Sequence, residues 1–512
     1  SVLGKAGEHD TEMHAILLQY DFQPDFPAEV EAEAAQISSK ITAKEIASRR
    51  DMREVTTFTI DPTDAKDFDD ALSLRVLENG RYEVGVHIAD VSYYVKPGTA
   101  LDREAFQRAT SVYLVDRTVP MLPEKLSNEV CSLRPQEESL TYSVIFEMDE
   151  DARVHKYWIG RTVIFSDHRF DYDGAQDVLE GKAEGPFATE LKTLHQLAQK
   201  LRERRFAKGS IEFESEEVKF VLDEHDKPVG VVRKVMKDAN HLIEDFMLLA
   251  NRTVATHIFK LKDNPPLPSV YRIHDRPDPE KLANLAEFVG KLGHRVDFEA
   301  KGDLSTRLNQ LLKEVEGKPE QHVVSTIAVR AMAKAVYSTK NVGHFGLGFP
   351  YYTHFTSPIR RYPDLMIHRL LTAYGNHEYR ENQPVMEAQL KHCSDKERTA
   401  TEAERASIRY KQVEFLSDKI GQAFEGLISG VIEAGFFVEL EETLCEGFVP
   451  VARMDDDYYV FDADRYALIG KDTGQMLQIG NRVRVTITST DMQRRQVEMA
   501  LVEKLEGAPV GA

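Results

Sequence analysis

The spacing of hydrophobic positions changes several times along the chain, and each change predicts a different kind of element. From Glu54 the spacing is that of strands. Val55–Ile60 is rich in β-forming residues, and within Tyr82–Val95 the side chains of Val84, Val86 and Ile88 fall on one face. Repeats of three and four residues follow in Leu191–Arg205, His241–Leu261, Pro279–Gly293 and Val323–Ser338, which predict long helices. These strands and helices mix without βαβ alternation, so an α+β domain is expected. Ser394-Asp-Lys-Glu397 reads as a capping box that opens a further helix, with Ala403, Ala406, Tyr410, Val413 and Leu416 on one face. Past Gly421 the period returns to two. Phe424–Ile432, Phe436–Leu440, Gly447–Val451 and Val483–Thr488 are short segments between Gly-containing turns, the pattern of a small five-stranded barrel. Ahead of the first strands, Pro24–Ile37 mixes Pro, Glu and Ala and runs into a predicted helix reaching about Arg50. The expected division is a linker and lead-in helix over 1–50, an α+β domain over 51–420, an all-β barrel of OB type over 421–503, and a tail over 504–512.

Bulk composition constrains this picture only loosely. With 42% hydrophobic and 29% charged residues among 512, the chain can bury a sizeable core. It has no run of about eighteen apolar residues that would span a membrane, and its start shows no signal-peptide pattern. Cys131, Cys393 and Cys445 lie far apart with no C-x₂-C pair, which argues against structural zinc and suits a reducing cytoplasm. A formal charge of −20 argues against a nucleic-acid partner. Net charge averages the whole surface, however, and says nothing about one cleft.

Candidate chemistry concentrates in Asp61-Pro-Thr-Asp-Ala-Lys-Asp-Phe-Asp-Asp70, directly after a predicted strand. Carboxylates this close repel one another unless a cation or a basic group neutralises them. A hard cation such as Mg²⁺ needs only one or two of them plus phosphate oxygens, and two such ions can serve an in-line phosphodiester displacement. A solvated acidic loop is the alternative, although Ile60, Phe68, Ala71 and Leu72 bound the run with apolar residues. An EF-hand does not fit, because a loop starting at Asp67 has Ala71 at position five and Leu72 where glycine belongs.

Positive charge comes from Thr356-Ser-Pro-Ile-Arg-Arg-Tyr-Pro-Asp364, whose adjacent arginines face opposite ways, so at least one can reach a common pocket. Arginine suits a phosphate and charge developing on it; pairing with surface acids is the rival reading. His368 and Arg369 follow on the next predicted helix, and Arg330 and Lys334 lie one turn apart on the preceding one. Aromatic residues in Ser111–Pro123, and the barrel pairs Phe436/Phe437 and Tyr458/Tyr459, can stack on bases without reading them. Strand alternation allows only one member of each barrel pair to face outward.

Together these motifs resemble the RNase II/RNase R exoribonuclease family, the bacterial RNase R branch more than the RNase II branch. Ile60-Asp61 with Asp67, Asp69 and Asp70 is similar to the family's signature, as are His87-Ile-Ala-Asp-Val-Ser92 and Thr356–Asp364. Gly426-x₃-Gly430, Gly435-Phe-Phe-Val438 and Glu446-Gly-Phe-Val449 resemble an S1 domain, while Met476-Leu-Gln-Ile-Gly-Asn481 departs from its pattern. The resemblance spans about residues 1–503, and the first residues read as the run-out of a cold-shock domain lying upstream. It implies an RNB catalytic domain followed by an S1 barrel, and a processive 3′→5′ hydrolytic exoribonuclease that releases 5′-nucleoside monophosphates by a two-metal mechanism. Asp61, Asp67, Asp69 and Asp70 would hold Mg²⁺, with Mn²⁺ as a substitute, and Asp69 and Arg360 would be catalytic. Tyr113, Tyr271, His354, Arg361, Arg369, Phe437 and Tyr458 would contact single-stranded RNA threaded 3′ end first into a channel. The implied protein is a cytoplasmic monomer with no membrane partner. Two readings stay beside this one: an RNase II-type enzyme with the same chemistry, and an RNA-binding protein of this fold that has lost catalysis.

Overall fold

A computed structural model describes residues 3–5, 7–211, 217–261, 266–300, 303–318, 320–378, 381–463 and 465–505. The predicted tail therefore lies outside the described residues from 506 onward. A seven-stranded mixed sheet forms the first half, in the order Arg50–Asp51, Val154–Phe165, Glu138–Met148, Tyr82–Ala89, Asp70–Val76, Thr57–Asp61 and His168–Asp171. Its two outermost pairings are parallel and the rest antiparallel. Alternation puts Phe58, Leu74, Val84 and Phe146 in the main apolar core. There the helices Tyr172–Leu179, Ala188–Ala207 and Asp238–Lys260 pack on one another and on the sheet.

The neighbouring strand positions carry a buried polar layer instead. His87 sits between Ser143 Oγ at 2.7 Å and Ser73 Oγ at 2.8 Å. Asp90 pairs with Arg49 at 2.8 Å and Arg161 at 3.2 Å. The His87–Ser92 stretch thus tightens the sheet, with the buried charge of Asp90 paired.

Beyond the sheet, the helix Gln383–Ser417 runs for 35 residues, roughly 50 Å at the α-helical rise. It packs on the N-terminal helix His9–Gln19 and on the barrel. The barrel closes in the order Ala423–Ile432, Gly435–Leu440, Glu446–Pro450, Gln496–Lys504, Arg482–Asp491, with a three-stranded sheet (Tyr459–Asp462, Ala467–Gly470, Met476–Gln478) inserted. Among the described residues no helix is long and apolar enough to cross a membrane.

Three expectations need correction. The helix predicted over Val323–Ser338 is Gln321–Ala331, and Val336–Ser338 is a strand paired with Tyr271–Ile273, so Arg330 and Lys334 share no helix face. Ser394–Glu397 is not a helix start. That helix begins at Gln383, capped by Asn382, whose side chain accepts from Val385 N. Ser394 instead accepts the Tyr337 amide at 2.9 Å, and Glu397 binds Arg272 at 2.6 Å, so tertiary partners use the side chains of the apparent box. The lead-in is three short helices, His9–Gln19, Ala28–Gln36 and Ala43–Ala47, rather than one approaching Arg50.

Candidate active site

The acidic segment leaves the sheet at Asp61 and rejoins it at Asp70, opposite Ile88. Its loop is braced from two sides. Arg169 donates to the carbonyls of Pro62 at 2.6 Å and Thr63 at 3.1 Å, with its guanidinium 4.9 Å over the Phe68 ring. Ser132 Oγ accepts the Phe68 amide at 2.9 Å and donates to Lys66 O at 2.8 Å. This turns Asp61 and Asp69 inward, leaving them 8% and 5% exposed.

Burial is the main cause of the unusual titration of these acids. It pushes Asp61 up to about 7, helped by the charge of Asp70. It pushes Asp70 up to about 6, against the pull of Arg360 and Arg361. Asp69 is driven well above the usual carboxylate range, opposed by Arg360 and the Ile359 amide, and Asp67 is also raised. Four carboxylates held where their charged forms are disfavoured make a site built for positive charge.

That charge comes partly from the second motif. Arg360 Nε lies 3.4 Å from Asp69 Oδ2, and the Ile359 amide donates to Asp69 Oδ1 at 3.0 Å. Arg360 stays 40% exposed, free to face an incoming anion. The adjacent Arg361 turns the other way, bonding Asp364 at 2.8 Å. Tyr113 is 40% exposed, and its phenol lies in the field of Arg360, Asp67 and Asp69. Its amide donates to Glu404 Oε1 on the long helix at 3.0 Å.

The remaining candidates scatter. His354 Nδ1 and the Tyr337 hydroxyl share a hydrogen bond at 2.7 Å, and burial together with Arg361, Arg272 and Arg360 holds His354 well below its usual pKa. Tyr271 is 6% exposed, which leaves its ring no open face for a base. Arg369 directs its terminal nitrogens to Asp102 at 2.7 Å, Tyr362 Oη at 3.1 Å and Val95 O at 2.9 Å, so here it serves the fold. In the barrel, Phe436 and Tyr459 point inward, while Tyr458 is 70% exposed and Phe437 is half-buried against Phe448, centroids 5.0 Å apart. Burial raises the phenol of Tyr172, which no motif singled out, and the nearby charges of Asp70 and Asp61 raise it further. Tyr172 follows Asp171, which pairs in parallel register with Asp61. A pairing 110 positions apart leaves no mark in local sequence.

Among the described residues, no three His, Cys, Asp or Glu side chains converge as a ready-made cage. The acids nevertheless fit a hard cation. Asp61 Oδ2 is buried with no hydrogen-bond partner, and an open Mg²⁺ site needs few carboxylates plus substrate oxygens.

A cluster of buried acids beside an exposed arginine, joined to a five-stranded OB barrel, is the arrangement of a phosphodiesterase-like protein with a nucleic-acid-binding module. Residues 49–377 match the RNB domain and residues 417–501 the S1 RNA binding domain, and the chain belongs to the RNB family. It is 40% identical to ribonuclease R of Aquifex aeolicus over 99% of its own length and 72% of the relative's. To ribonuclease R of Thermotoga maritima it is 41% identical over the same shares, 99% and 72%. The fold superposes on Mycoplasma genitalium RNase R in complex with ribose methylated single-stranded RNA with a TM-score of 0.91, at 30% identity, covering 98% of this chain and 79% of that one.

Proposed function

We propose that this chain is a 3′→5′ exoribonuclease of ribonuclease R type, hydrolysing single-stranded RNA to 5′-nucleoside monophosphates with Mg²⁺. One observation carries the reading: Arg360 and the Ile359 amide address the two oxygens of Asp69 across 290 residues of sequence. That arrangement fixes a guanidinium beside a buried acidic cluster, which is what in-line displacement at phosphorus needs.

Asp61, Asp67, Asp69 and Asp70 would hold two Mg²⁺ ions. When bound, these supply an activated water and neutralise the leaving oxygen. Arg360 stabilises the charge that develops on the phosphoryl oxygens. Tyr113 offers an open ring face on which a base near the 3′ end stacks, and Tyr458 and Phe437 offer the barrel's outward aromatics to upstream nucleotides. Processivity follows from this grip along the strand, and a monomer suffices because every named group comes from one chain. A cytoplasmic location fits three buried cysteines with no disulfide.

The test uses poly(A) labelled at either end, with Mg²⁺ and with EDTA. Stepwise release of 5′-nucleotides from the 3′ end, abolished by EDTA and restored by excess Mg²⁺, is the expected result. RNA that binds but stays intact in Mg²⁺ or Mn²⁺ would establish instead the non-catalytic RNA-binding reading.

A further inference from the structure

The turn that presents Arg360 is tied down by a residue that lies outside the acidic cluster. Asp364, fully buried in the first turn of the helix Tyr362–Gly375, accepts two hydrogen bonds on Oδ1: one from the Ser357 amide at 2.8 Å and one from Arg361 Nη2 at 2.8 Å. Between those two donors the chain closes on itself. The amides of Arg360 and Arg361 donate to Ser357 O at 3.3 and 3.0 Å, and Arg360 Nη2 donates to Ser357 Oγ at 2.9 Å. The far side of the turn is pinned by Ser111 N on Arg360 O at 3.0 Å and by Tyr362 N on Ala109 O at 2.9 Å.

A helix start needs no such residue. An acid in the first turn gains about 0.3–1 kcal/mol from the helix dipole when exposed. Asp364 is instead buried, and its Oδ2 has no hydrogen-bond partner. Leaving a buried carboxylate oxygen unserved costs free energy, so capping alone is a poor account of an aspartate here. Its contacts explain it better: one oxygen fixes both ends of the Ser357–Arg361 turn, and the turn delivers two donors to Asp69.

We propose that Asp364 is a positioning residue for the phosphodiester chemistry. It locks the Ser357–Arg361 turn so that the Ile359 amide and the Arg360 guanidinium meet opposite oxygens of Asp69. The proposal rests on the exoribonuclease reading above and adds a residue that touches neither RNA nor cation. A misplacement of about 1 Å at such a site costs about 100-fold in rate. Tyr113 and the barrel, which grip the strand, are untouched.

The experiment is a double-mutant cycle on the full chain, read by steady-state cleavage of labelled RNA with substrate in excess. Asp364→Asn keeps the shape and an acceptor oxygen, but it removes the charge that holds the Arg361 guanidinium and puts a buried NH₂ donor where the unpartnered Oδ2 stood. It should lower kcat by about 30- to 100-fold per folded molecule, with KM changed by less than about threefold. In an Arg360→Ala background the same change should cost less than about threefold further, because the group it positions is gone. Equal losses in both backgrounds, or a kcat per folded molecule equal to wild type, would overturn the proposal and leave Asp364 a structural residue. If Asp364→Asn does not fold, Ser357→Ala, which removes only the Oγ that Arg360 binds, runs the same cycle with the same criteria. A wild-type chain that releases no nucleotide overturns the exoribonuclease reading itself, whereas an active wild type with an additive cycle overturns only the role of Asp364.

Discussion

Replacing Asp69 by asparagine separates catalysis from folding at one atom. The Asn carbonyl can still accept the Ile359 amide now bonded at 3.0 Å, so the turn keeps its anchor. What is lost is one negative charge facing Arg360. At 3.4 Å and an effective dielectric of about 20, that attraction is about 5 kcal/mol before screening. Arg360 is 40% exposed, and solvent reduces the net value to about 1 kcal/mol. Against this stands relief of the repulsion from Asp67 and Asp70 and of the burial that drives the Asp69 pKa upward. The two sides nearly cancel, so Tm should move by no more than about 3 °C. Turnover should fall by at least about 1000-fold, roughly 4 kcal/mol in the barrier, while RNA affinity holds or rises as an anion is removed from the phosphate's path. Single-turnover cleavage in saturating Mg²⁺, filter binding and thermal melting measure the three quantities. Hydrolysis within tenfold of wild type would show that Asp69 lies outside the chemistry.

Three further outcomes are expected. Tyr113→Ala removes the open ring face beside Arg360 and should change the length of the limit product; an unchanged product ladder with a lowered Tm would make Tyr113 a packing residue. Because Asp61 and Asp70 titrate near 7 and 6 in the fold, above the ordinary carboxylate value, the metal-free fold binds more protons than the unfolded chain. Its stability therefore falls as pH rises through that window. Cations need the charged form, so Mg²⁺ should raise Tm more at pH 8 than at pH 5, and equal shifts would count against a cation at these acids. His87 runs the other way. Burial lowers it to about 3 in the fold, so below about pH 6.5 only the unfolded chain gains its proton. Relative to His87→Gln, wild type should lose about 1.4 kcal/mol per pH unit from there down; parallel stability curves would refute this.

Legibility in the sequence followed how local each feature is. The acids of Asp61–Asp70 and the arginines of Thr356–Asp364 each lie within one short segment, so chemistry and spacing could be read together. The outward choice of Tyr458 over Tyr459 was half-readable, since period two fixes that the pair splits but not which member faces water. Tyr172 was unreadable, because it reaches the acids only through a strand pairing formed 110 positions away. Tyr271 and Arg369 failed for a related reason. An aromatic near a motif, or a base one turn along a helix, has no local mark that tells an open face from a buried one. Only the Arg369 contacts with Asp102, Tyr362 and Val95 show where its donors go. The helix predicted over Val323–Ser338 ended early at Ala331 with no Pro or Gly to announce it, and the strand at Val336 was set by its partner at Ile273.

The charge of −20 is compatible with an RNA partner once it is divided by location. Many arginines are neutralised within the fold, including Arg49 and Arg161 by Asp90, Arg272 by Glu397, Arg361 by Asp364 and Arg369 by Asp102. Counting bases therefore overstates the positive surface as badly as net charge understates it. On the proposed reading the strand meets a different set: Arg360, left 40% exposed, and aromatic faces that bind without charge. The buried acids carry less charge than their number suggests, because burial raises Asp61 to about 7 and lifts Asp69 well above the usual carboxylate range. Cations would replace the protons held there and turn the same cluster from an obstacle for phosphate into its receptor. On the proposed reading, an acidic chain of this kind would gain its grip on the scissile phosphate from ions held by its acids, and its grip on the rest of the strand from stacking.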